Sequence, residues 1–254
     1  MTEAIRNIPY PMFNDFNMDG QITIEYKYAN DCSDEIQSQI NANFTQEVFS
    51  QYLEKAGKKE QHYYGPTDTW LYDALGKYPI RDKNVCIMGS ANPWYEAIAI
   101  ANGAKRCTVI EYSKREAFHE KIEYIQPHEV GEEKFDACLS ISSYEHDGLG
   151  RYGDPLNPSG DIEAMKKTKE LLNKDALLYL AVPVGVDKLI FNAHRIYGKK
   201  RIPKLLSDWE IIENFGIFDD SGCVAIVSLG KEKLKSKFPF ASLTSEIFVE
   251  FLKS

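Results

Sequence analysis

The chain has 254 residues, of which 43% are hydrophobic and 27% are charged, and these values are typical of a globular protein with a sizeable core. Its formal net charge of −8 argues against nucleic acid as the main partner, because phosphate binding needs a basic face. No apolar run reaches the ~20 residues of a membrane span, and the polar N-terminus lacks a signal-peptide core. The five cysteines are interpreted as small buried residues in a reducing compartment, so we expect a cytoplasmic protein.

Residues 1–80 are predicted to form an N-terminal cap or lid segment. Within it, the alternating run at residues 22–28 predicts a strand, as one arm of a hairpin. Residues 15–20 contain acids that suggest a calcium loop, but they lack its later ligand spacing, so a turn is predicted. Residues 33–55 combine helix-start chemistry with apolar residues spaced for one face of a helix.

Residues 63–71 place three aromatic residues around a Gly-Pro turn and continue as a predicted helix. Two interpretations remain open. The segment either anchors the N-terminal layer on the sheet, or it is a lid whose Tyr64, Thr67 and Asp68 contact a ligand.

Residues 84–88 form an apolar run that ends at Gly89, a pattern typical of a strand buried in a parallel sheet. A helix over residues 94–101 follows, and a second apolar run ends at Glu111. A glycine turn before a helix, with an acid about 20 residues later at the end of the next strand, is a nucleotide-binding arrangement. The alternative is a plain parallel sheet in which Glu111 is a solvated strand end.

Beyond Glu111, residues 114–120 predict a short helix, and residues 122–125 and 135–141 predict two further strands. Residues 142–155 then contain acids, aromatics, glycines and a histidine. Because ligands of open α/β sheets bind beyond the carboxyl ends of the strands, a functional site is predicted there.

Residues 161–172 predict an amphipathic helix, and residues 176–182 predict a fifth buried strand. Two closing strands are predicted at residues 209–212 and 223–229. Their short link requires them to be antiparallel, since a parallel return needs a long crossover. The predicted division is therefore a cap at residues 1–80, a core at 81–232 and a C-terminal tail with a terminal helix at 233–254.

The order of these elements resembles the class I S-adenosylmethionine-dependent methyltransferases. Residues 85–89 with Glu111 resemble their first motif and ribose-binding acid, and residues 135–140 with 144–146 resemble the motif after their fourth strand. The resemblance covers roughly residues 84–230. It implies an α/β, Rossmann-like sheet that is mostly parallel, with an antiparallel C-terminal strand, and S-adenosyl-L-methionine as the cofactor.

A narrower resemblance lies in residues 145–155 and 191–195, which are similar to a methyltransferase-like family of unknown function found near bacterial surface-polysaccharide genes. It implies O-methylation of a sugar hydroxyl in a nucleotide-activated sugar. Residues 90–93 replace the usual second and third glycines of the class, although Ser90 is small enough for close approach. Gln126 and His128 stand where the class often has an acid after the third strand.

The sequence patterns and the resemblance together predict three groups of site residues. The cofactor-binding residues are Tyr64, Thr67, Asp68, Gly89, Ser90, Glu111, Tyr112, Ser142 and Tyr144. The substrate-binding residues are Arg151, Tyr152, Asn192 and Arg195. The guanidinium groups of the two arginines would bind a phosphate. The catalytic residues are His146, Asp147 and His194.

Methyl transfer to a hydroxyl requires a base near neutral pKa, so His146 is the first candidate and His194 the competing one, with Asp147 orienting the imidazole. No metal is expected, because the consecutive residues Glu145, His146 and Asp147, even with Asp154, lack a turn built to converge on one ion.

Two other classes remain as alternatives. A nicotinamide-dependent sugar oxidoreductase would share the strand, turn and acid, but the chain has no Tyr followed four residues later by Lys and lacks the full dinucleotide glycine pattern. A non-catalytic methyltransferase-like domain would bind a partner protein instead. A small-molecule sugar is the expected partner, and a homodimer is left open.

Overall fold

The computed structural model describes residues 3–216 and, as backbone only, residues 223–230. The predicted tail and terminal helix at residues 233–254 lie outside the described residues. The strands of the described residues are β1 (Thr23–Tyr26), β2 (Asn84–Met88), β3 (Arg106–Ile110), β4 (Ile122–Ile125), β5 (Phe135–Ile141), β6 (Leu172–Pro183), β7 (Lys188–Phe191), β8 (His194–Ile196), β9 (Trp209–Phe215) and β10 (Cys223–Gly230). The helices are α1 (Phe13–Phe16), α2 (Asp34–Asn41), α3 (Gln46–Gly57), α4 (Pro66–Lys77), α5 (Trp94–Ala101), α6 (Gly160–Leu171) and α7 (Ile202–Leu205).

The central sheet of the described residues has the strand order β4-β3-β2-β5-β6-β10-β9. Strands β2 to β6 pair in parallel, whereas β10 lies between β6 and β9 and is antiparallel to both. Val85, Cys86 and Ile87 are almost completely buried, as the apolar run predicts for a strand covered on both faces. The predicted α/β, Rossmann-like class and the antiparallel pairing of the last two strands are confirmed.

The strand order reverses next to β2. The chain runs from β2 outward through β3 to β4, and then crosses back to place β5 on the other side of β2. A crevice forms at such a switch point beyond the carboxyl ends of the strands, because the loops on either side lead in opposite directions. The loops after β2, β3 and β5 therefore meet at one edge of the sheet.

Helices cover both faces of the central sheet. Phe49 of α3, Leu71 of α4 and Ala97 of α5 belong to one core cluster, and Met165 of α6 and Ile202 of α7 belong to another. The predicted helix after the Gly-Pro turn and the predicted helices at residues 94–101 and 161–172 are thus confirmed, and their apolar positions form the two layers of core.

A small second sheet joins the N-terminal segment to the C-terminal half of the chain. Strand β1 pairs in parallel with β7, and β7 pairs antiparallel with β8. The rings of Phe16 and Phe191 pack against each other with centroids 5.7 Å apart. The predicted strand is confirmed, but its hairpin role is wrong, because parallel strands cannot be joined by a short turn.

Two helix predictions are wrong in the N-terminal half. Residues 33–55 form α2 and α3 with a break between them, where Thr45 Oγ1 accepts the Val48 N–H at 3.2 Å and caps the second helix. Residues 114–120 form no helix. Phe118 packs there on Phe49 with ring centroids 5.3 Å apart, so tertiary contacts override local helical propensity.

Candidate functional site

The turn after β2 brings backbone to the carboxyl edge of the sheet. Gly89 has a φ of +72°, in the left-handed region that residues other than glycine rarely adopt. A Cβ atom at this position would lie 2.8 Å from Ser143 Oγ, so a larger residue would close the space between the turns after β2 and β5. Glycine at position 89 therefore keeps this edge open.

Glu111 is fixed against that turn. It follows the last residue of β3 and is only 8% exposed. Its Oε2 accepts the Ser90 N–H at 2.8 Å, and its Oε1 accepts the Ser113 N–H at 3.1 Å. Each carboxylate oxygen has further acceptor capacity, so both can still receive a hydrogen bond from a ligand.

A cavity of about 750 Å³ opens over the carboxyl ends of β2, β3 and β5, a volume within the range of small-molecule sites. The structure brings most of the predicted site residues to its wall. These are Tyr64, Gly89, Ser90, Glu111, Tyr112, Ser142, His146, Asp147, Arg151 and Tyr152.

His146 is held as one tautomer. Its Nδ1 lies 2.6 Å from the carbonyl oxygen of Ala193, and a carbonyl only accepts, so Nδ1 carries the proton and Nε2 carries a free lone pair. Burial and the neighbouring charge of Arg151 lower the pKa of His146 to about 3. The imidazole is therefore neutral across the physiological range.

Glu145 lies next to this imidazole. It is fully buried and accepts a short hydrogen bond from Ser142 Oγ, while its other oxygen, Oε2, has no partner among the described residues. Oε1 lies 3.8 Å from His146 Nε2. Burial raises the pKa of Glu145 to about 7, since the charged form is poorly solvated there.

Asp147 lines the cavity with a free carboxyl group. Its side chain makes no hydrogen bond or ion pair within the part of the chain that the structure describes. Burial, followed by the nearby charge of Asp154, raises the pKa of Asp147 well above its usual range. The predicted role as orienter of His146 belongs instead to the Ala193 carbonyl, which occupies Nδ1.

Arg151 lies at the cavity but is already engaged. Its Nε donates to Asp31 Oδ2 at 2.8 Å, and its Nη2 lies 2.7 Å from the same oxygen. A further bond of 3.3 Å runs to the carbonyl of Ala193, and the guanidinium lies over the Tyr152 ring at 5.0 Å. The group predicted to clamp a phosphate therefore holds an acid of the N-terminal segment.

Four other predicted site residues lie outside the cavity wall and have structural partners. Asp68 accepts the His62 N–H at 2.7 Å and the Tyr95 hydroxyl at 3.1 Å, and so secures the start of α4. Thr67, beside it, is buried. Tyr144 is buried in the core with its hydroxyl bonded to Thr168 Oγ1 at 2.5 Å. Asn192 clamps Ala29 through two hydrogen bonds of 2.9 and 2.8 Å.

Arg195 and His194 also lie outside the cavity wall. Arg195 is buried, and its Nη1 donates to the carbonyl of Asp147 at 2.6 Å while its Nε lies 3.7 Å from Asp161. The predicted phosphate contact of Arg195 is replaced by this internal network. The His194 ring lies 6.3 Å from that of His146, and burial lowers the pKa of His194.

Sequence reasoning missed two charged residues behind the turn. Glu96 of α5 accepts the Ser90 hydroxyl at 2.6 Å and the Tyr124 hydroxyl at 3.1 Å, and burial raises its pKa to about 7. Arg115 donates to Asn41 Oδ1 at 2.6 Å and to Gln37 Oε1 at 2.8 Å, which ties α2 to the cavity rim. An acid in the first turn of α5 was a readable signal, whereas Arg115 stood in a stretch predicted to be helical.

Two further properties concern the described residues only. They contain no cluster of three or more His, Cys, Asp or Glu side chains arranged to hold a metal ion. None of their helices combines the length and apolar character needed to cross a membrane.

The central sheet, in which β10 lies antiparallel between β6 and the edge strand β9, has the Rossmann-like fold of the class I methyltransferases. The chain belongs to the family described as "Caenorhabditis protein of unknown function, DUF268", whose model matches residues 82–249. No curated protein matches the chain.

Solved structures share this fold at low sequence identity. The 1,6-didemethyltoxoflavin-N1-methyltransferase of Burkholderia thailandensis, crystallised with bound 1,6-didemethyltoxoflavin and S-adenosylhomocysteine, superposes with a TM-score of 0.52 and 13% identity over 80% of this chain and 93% of that chain. The N-methyltransferase NodS of Bradyrhizobium japonicum WM9 in complex with S-adenosyl-l-homocysteine gives 0.47 and 15%, over 72% and 99%. At such identity the likeness concerns the fold alone.

Proposed function

We propose that this chain is an S-adenosylmethionine-dependent methyltransferase that methylates a hydroxyl group of a sugar. The observation that carries the proposal is Glu111, held by two backbone N–H groups against the turn at Gly89 where the sheet order reverses. The relatives in fold include methyltransferases crystallised with S-adenosylhomocysteine, which supports the same cofactor here.

The residues at the edge of the sheet fit that cofactor. Glu111 keeps acceptor capacity on both oxygens, which suits the two adjacent hydroxyls of a ribose. The open backbone at Gly89 and Ser90 would contact the methionine part, and Tyr112 and Ser142 line the same wall. When bound, S-adenosylmethionine supplies an electrophilic methyl group on a sulfonium for in-line displacement.

The chain's own residues must bind the acceptor hydroxyl and remove its proton. His146 and Asp147 both line the cavity. An imidazole whose pKa is about 3 holds a proton too weakly to be an effective base at neutral pH, whereas Asp147 in its ionised form places a carboxylate at the same wall. We therefore assign proton removal to Asp147 and a hydrogen bond that orients the hydroxyl to His146 Nε2.

The sugar acceptor rests on the narrower resemblance of residues 145–155 and 191–195. A hydroxyl, which both donates and accepts, matches a site that offers a free carboxyl group and an imidazole lone pair. The link to surface polysaccharide, the cytoplasmic location, the domain division and a homodimer stay predictions.

Calorimetry with S-adenosylhomocysteine and with NAD tests the proposal. We expect binding of the first and none of the second. Glu111→Gln should weaken S-adenosylhomocysteine binding by about 10- to 100-fold, because a charged acceptor of ribose hydroxyls is lost. The exposed Glu120 lies in the same connection, so Glu120→Gln is the matched control and should bind normally. Binding of NAD alone would favour the oxidoreductase, and binding of neither compound would favour a non-catalytic domain.

A further inference from the structure

The acceptor side of the cavity contains a guanidinium whose positive charge is already paired with a carboxylate. Arg151 meets Asp31 through Nε at 2.8 Å and Nη2 at 2.7 Å, and both side chains are largely buried. Asp31 lies beyond β1, in the N-terminal segment that Asn192 clamps at Ala29. An incoming phosphate would have to displace a carboxylate that the fold holds in place, or be buried beside its negative charge.

The other positive charges near the cavity offer an anion no better site. Arg195 is buried away from the wall, with its donors on backbone carbonyls and its charge beside Asp161. Arg115 lies on the cofactor side, where it holds the amide oxygens of α2. Lys167 is exposed at the far rim on α6, one turn from both Glu163 and Glu170 on the same helix.

The remaining groups that line the acceptor side are hydrogen-bonding groups. His146 and Asp147 both line the cavity. Because His146 Nδ1 is bound to Ala193, its Nε2, which lies 3.8 Å from Glu145 Oε1, is an acceptor. A carboxyl group accepts and, when protonated, also donates, so the two side chains together suit a hydroxyl. A phosphate or carboxylate oxygen has no proton to give at neutral pH, so it would leave the His146 Nε2 acceptor unsatisfied.

We propose that the acceptor is an uncharged polyhydroxyl compound, a sugar with no phosphate or carboxylate near the hydroxyl that is methylated, and that the Asp31–Arg151 pair excludes anionic acceptors. The inference rests on the proposed methyltransferase function. It departs from the nucleotide-activated sugar that the sequence resemblance implies, because the two arginines assigned to the phosphate have internal partners.

A binding experiment tests the exclusion without knowledge of the natural sugar. Uridine diphosphate is titrated into the full chain saturated with S-adenosylhomocysteine, and into the same chain without it. Wild type should bind it weakly or not at all, whereas Asp31→Asn should bind at least 10-fold more tightly, because Arg151 regains an unpaired guanidinium. Glu35→Gln, which removes an exposed acid of α2 without touching Arg151, is the matched control and should behave as wild type.

Tight uridine diphosphate binding by wild type would overturn the proposal, as would an unchanged affinity in an Asp31→Asn protein that melts cooperatively. If Asp31→Asn fails to fold, Asp31→Ser and the wild-type titration still decide the question. Failure of S-adenosylhomocysteine to bind is a separate result that contradicts the proposed function and leaves the uridine diphosphate titration readable.

Mass spectrometry with S-adenosylmethionine then tests the acceptor itself. Methyl glycosides are offered in parallel with the nucleoside diphosphate forms of the same sugars. We expect a one-methyl gain on a neutral member of the panel and at least 100-fold less on its nucleotide-linked counterpart. Methylation of the nucleotide-linked forms, of an amine only, or of no sugar would overturn the proposal.

Discussion

At the scale of single residues, Glu96 and Glu145 make the stability of the fold depend on pH. Each is completely buried and keeps one oxygen without a partner among the described residues. Burial raises the pKa of both from 4.5 to about 7. The folded state thus binds the proton more tightly than the unfolded chain, so their contribution to stability is present below the unfolded pKa and is lost as pH rises through the folded one.

Glu145→Gln should reduce that pH dependence, because glutamine has no proton to lose. Between about pH 5 and pH 8, the loss of unfolding free energy should be smaller than in wild type by about 2 kcal/mol. Urea unfolding at the two pH values measures the difference. Glu132→Gln, at an exposed position, should keep the wild-type dependence. An identical dependence in Glu145→Gln would mean that Glu145 is ionised in the folded state at low pH.

The assignment of the base makes a second prediction at this scale. Asp147→Asn should lower kcat by about 100- to 10,000-fold, because the group that takes the proton is lost, while S-adenosylhomocysteine affinity stays within about threefold. His146→Asn keeps a donor for the Ala193 carbonyl but removes the Nε2 lone pair, so its loss should be smaller and fall mainly on KM. A larger loss of kcat in His146→Asn than in Asp147→Asn would return proton removal to the histidine.

The sequence was sufficient to predict that Gly89 and Glu111 meet at one edge of the sheet, because their signals are local. A glycine ends one strand run, an acid ends the next, and both strands must end at the same edge of a parallel sheet. The state of His146 was not readable, since it depends on the Ala193 carbonyl from a distant strand connection. Likewise, the sequence does not show that Arg151 is paired, because its partner Asp31 lies 120 residues earlier in the chain.

At the scale of elements, the Arg115 side chain ties α2 to the cavity rim. Arg115 donates to Gln37 and Asn41 of α2, and its guanidinium lies over Phe44 at 4.7 Å. α2 itself has no buried residue, so side-chain hydrogen bonds rather than core packing hold it there. Local unfolding of such a helix has a small free-energy cost.

Arg115→Met should therefore release α2. The substitution keeps an aliphatic stem beside Phe44 and removes the donors, so amide exchange in Asp34–Asn41 should be at least 10-fold faster and S-adenosylhomocysteine binding a few-fold weaker. Hydrogen exchange read by mass spectrometry measures the first effect. Arg106→Met removes an exposed arginine paired with Glu123 and should change neither. Unchanged exchange in α2 would show that other contacts hold it.

Where element predictions failed, non-local contacts decided the outcome. Residues 114–120 have helical propensity, but Arg115 reaches α2 and Phe118 joins Phe49 and Tyr124 in an aromatic cluster. Strand β1 alternates as a strand should, yet its partner is β7 rather than a neighbour in sequence. Periodicity therefore predicted that an element exists, whereas its partner and its interruption came from packing that one sequence does not reveal.

For the whole molecule, the N-terminal segment contributes both to the structure of the fold and to the wall of the cavity. β1 extends a sheet with β7, Ala29 is clamped by Asn192, and Asp31 then meets Arg151 at the cavity. The charge of the acceptor side is thus set by a segment outside the central sheet. Similar sheets can accept different substrates when such a segment differs, because the fold supplies the frame and the loops supply the chemistry.

Asn192→Asp tests this connection across the molecule. The aspartate still accepts the Ala29 N–H but cannot donate to the Ala29 carbonyl, so the clamp should lose about 1–3 kcal/mol and exchange at residues 23–31 should quicken. Because Asp31 is then held less firmly beside Arg151, uridine diphosphate binding should increase in the same direction as in Asp31→Asn, though less. Asn102→Asp removes an equivalent amide donor to a carbonyl, that of Ile98, far from the segment, and should leave both readouts unchanged. Faster exchange without any gain in uridine diphosphate binding would separate the docking of the segment from the exclusion of anions.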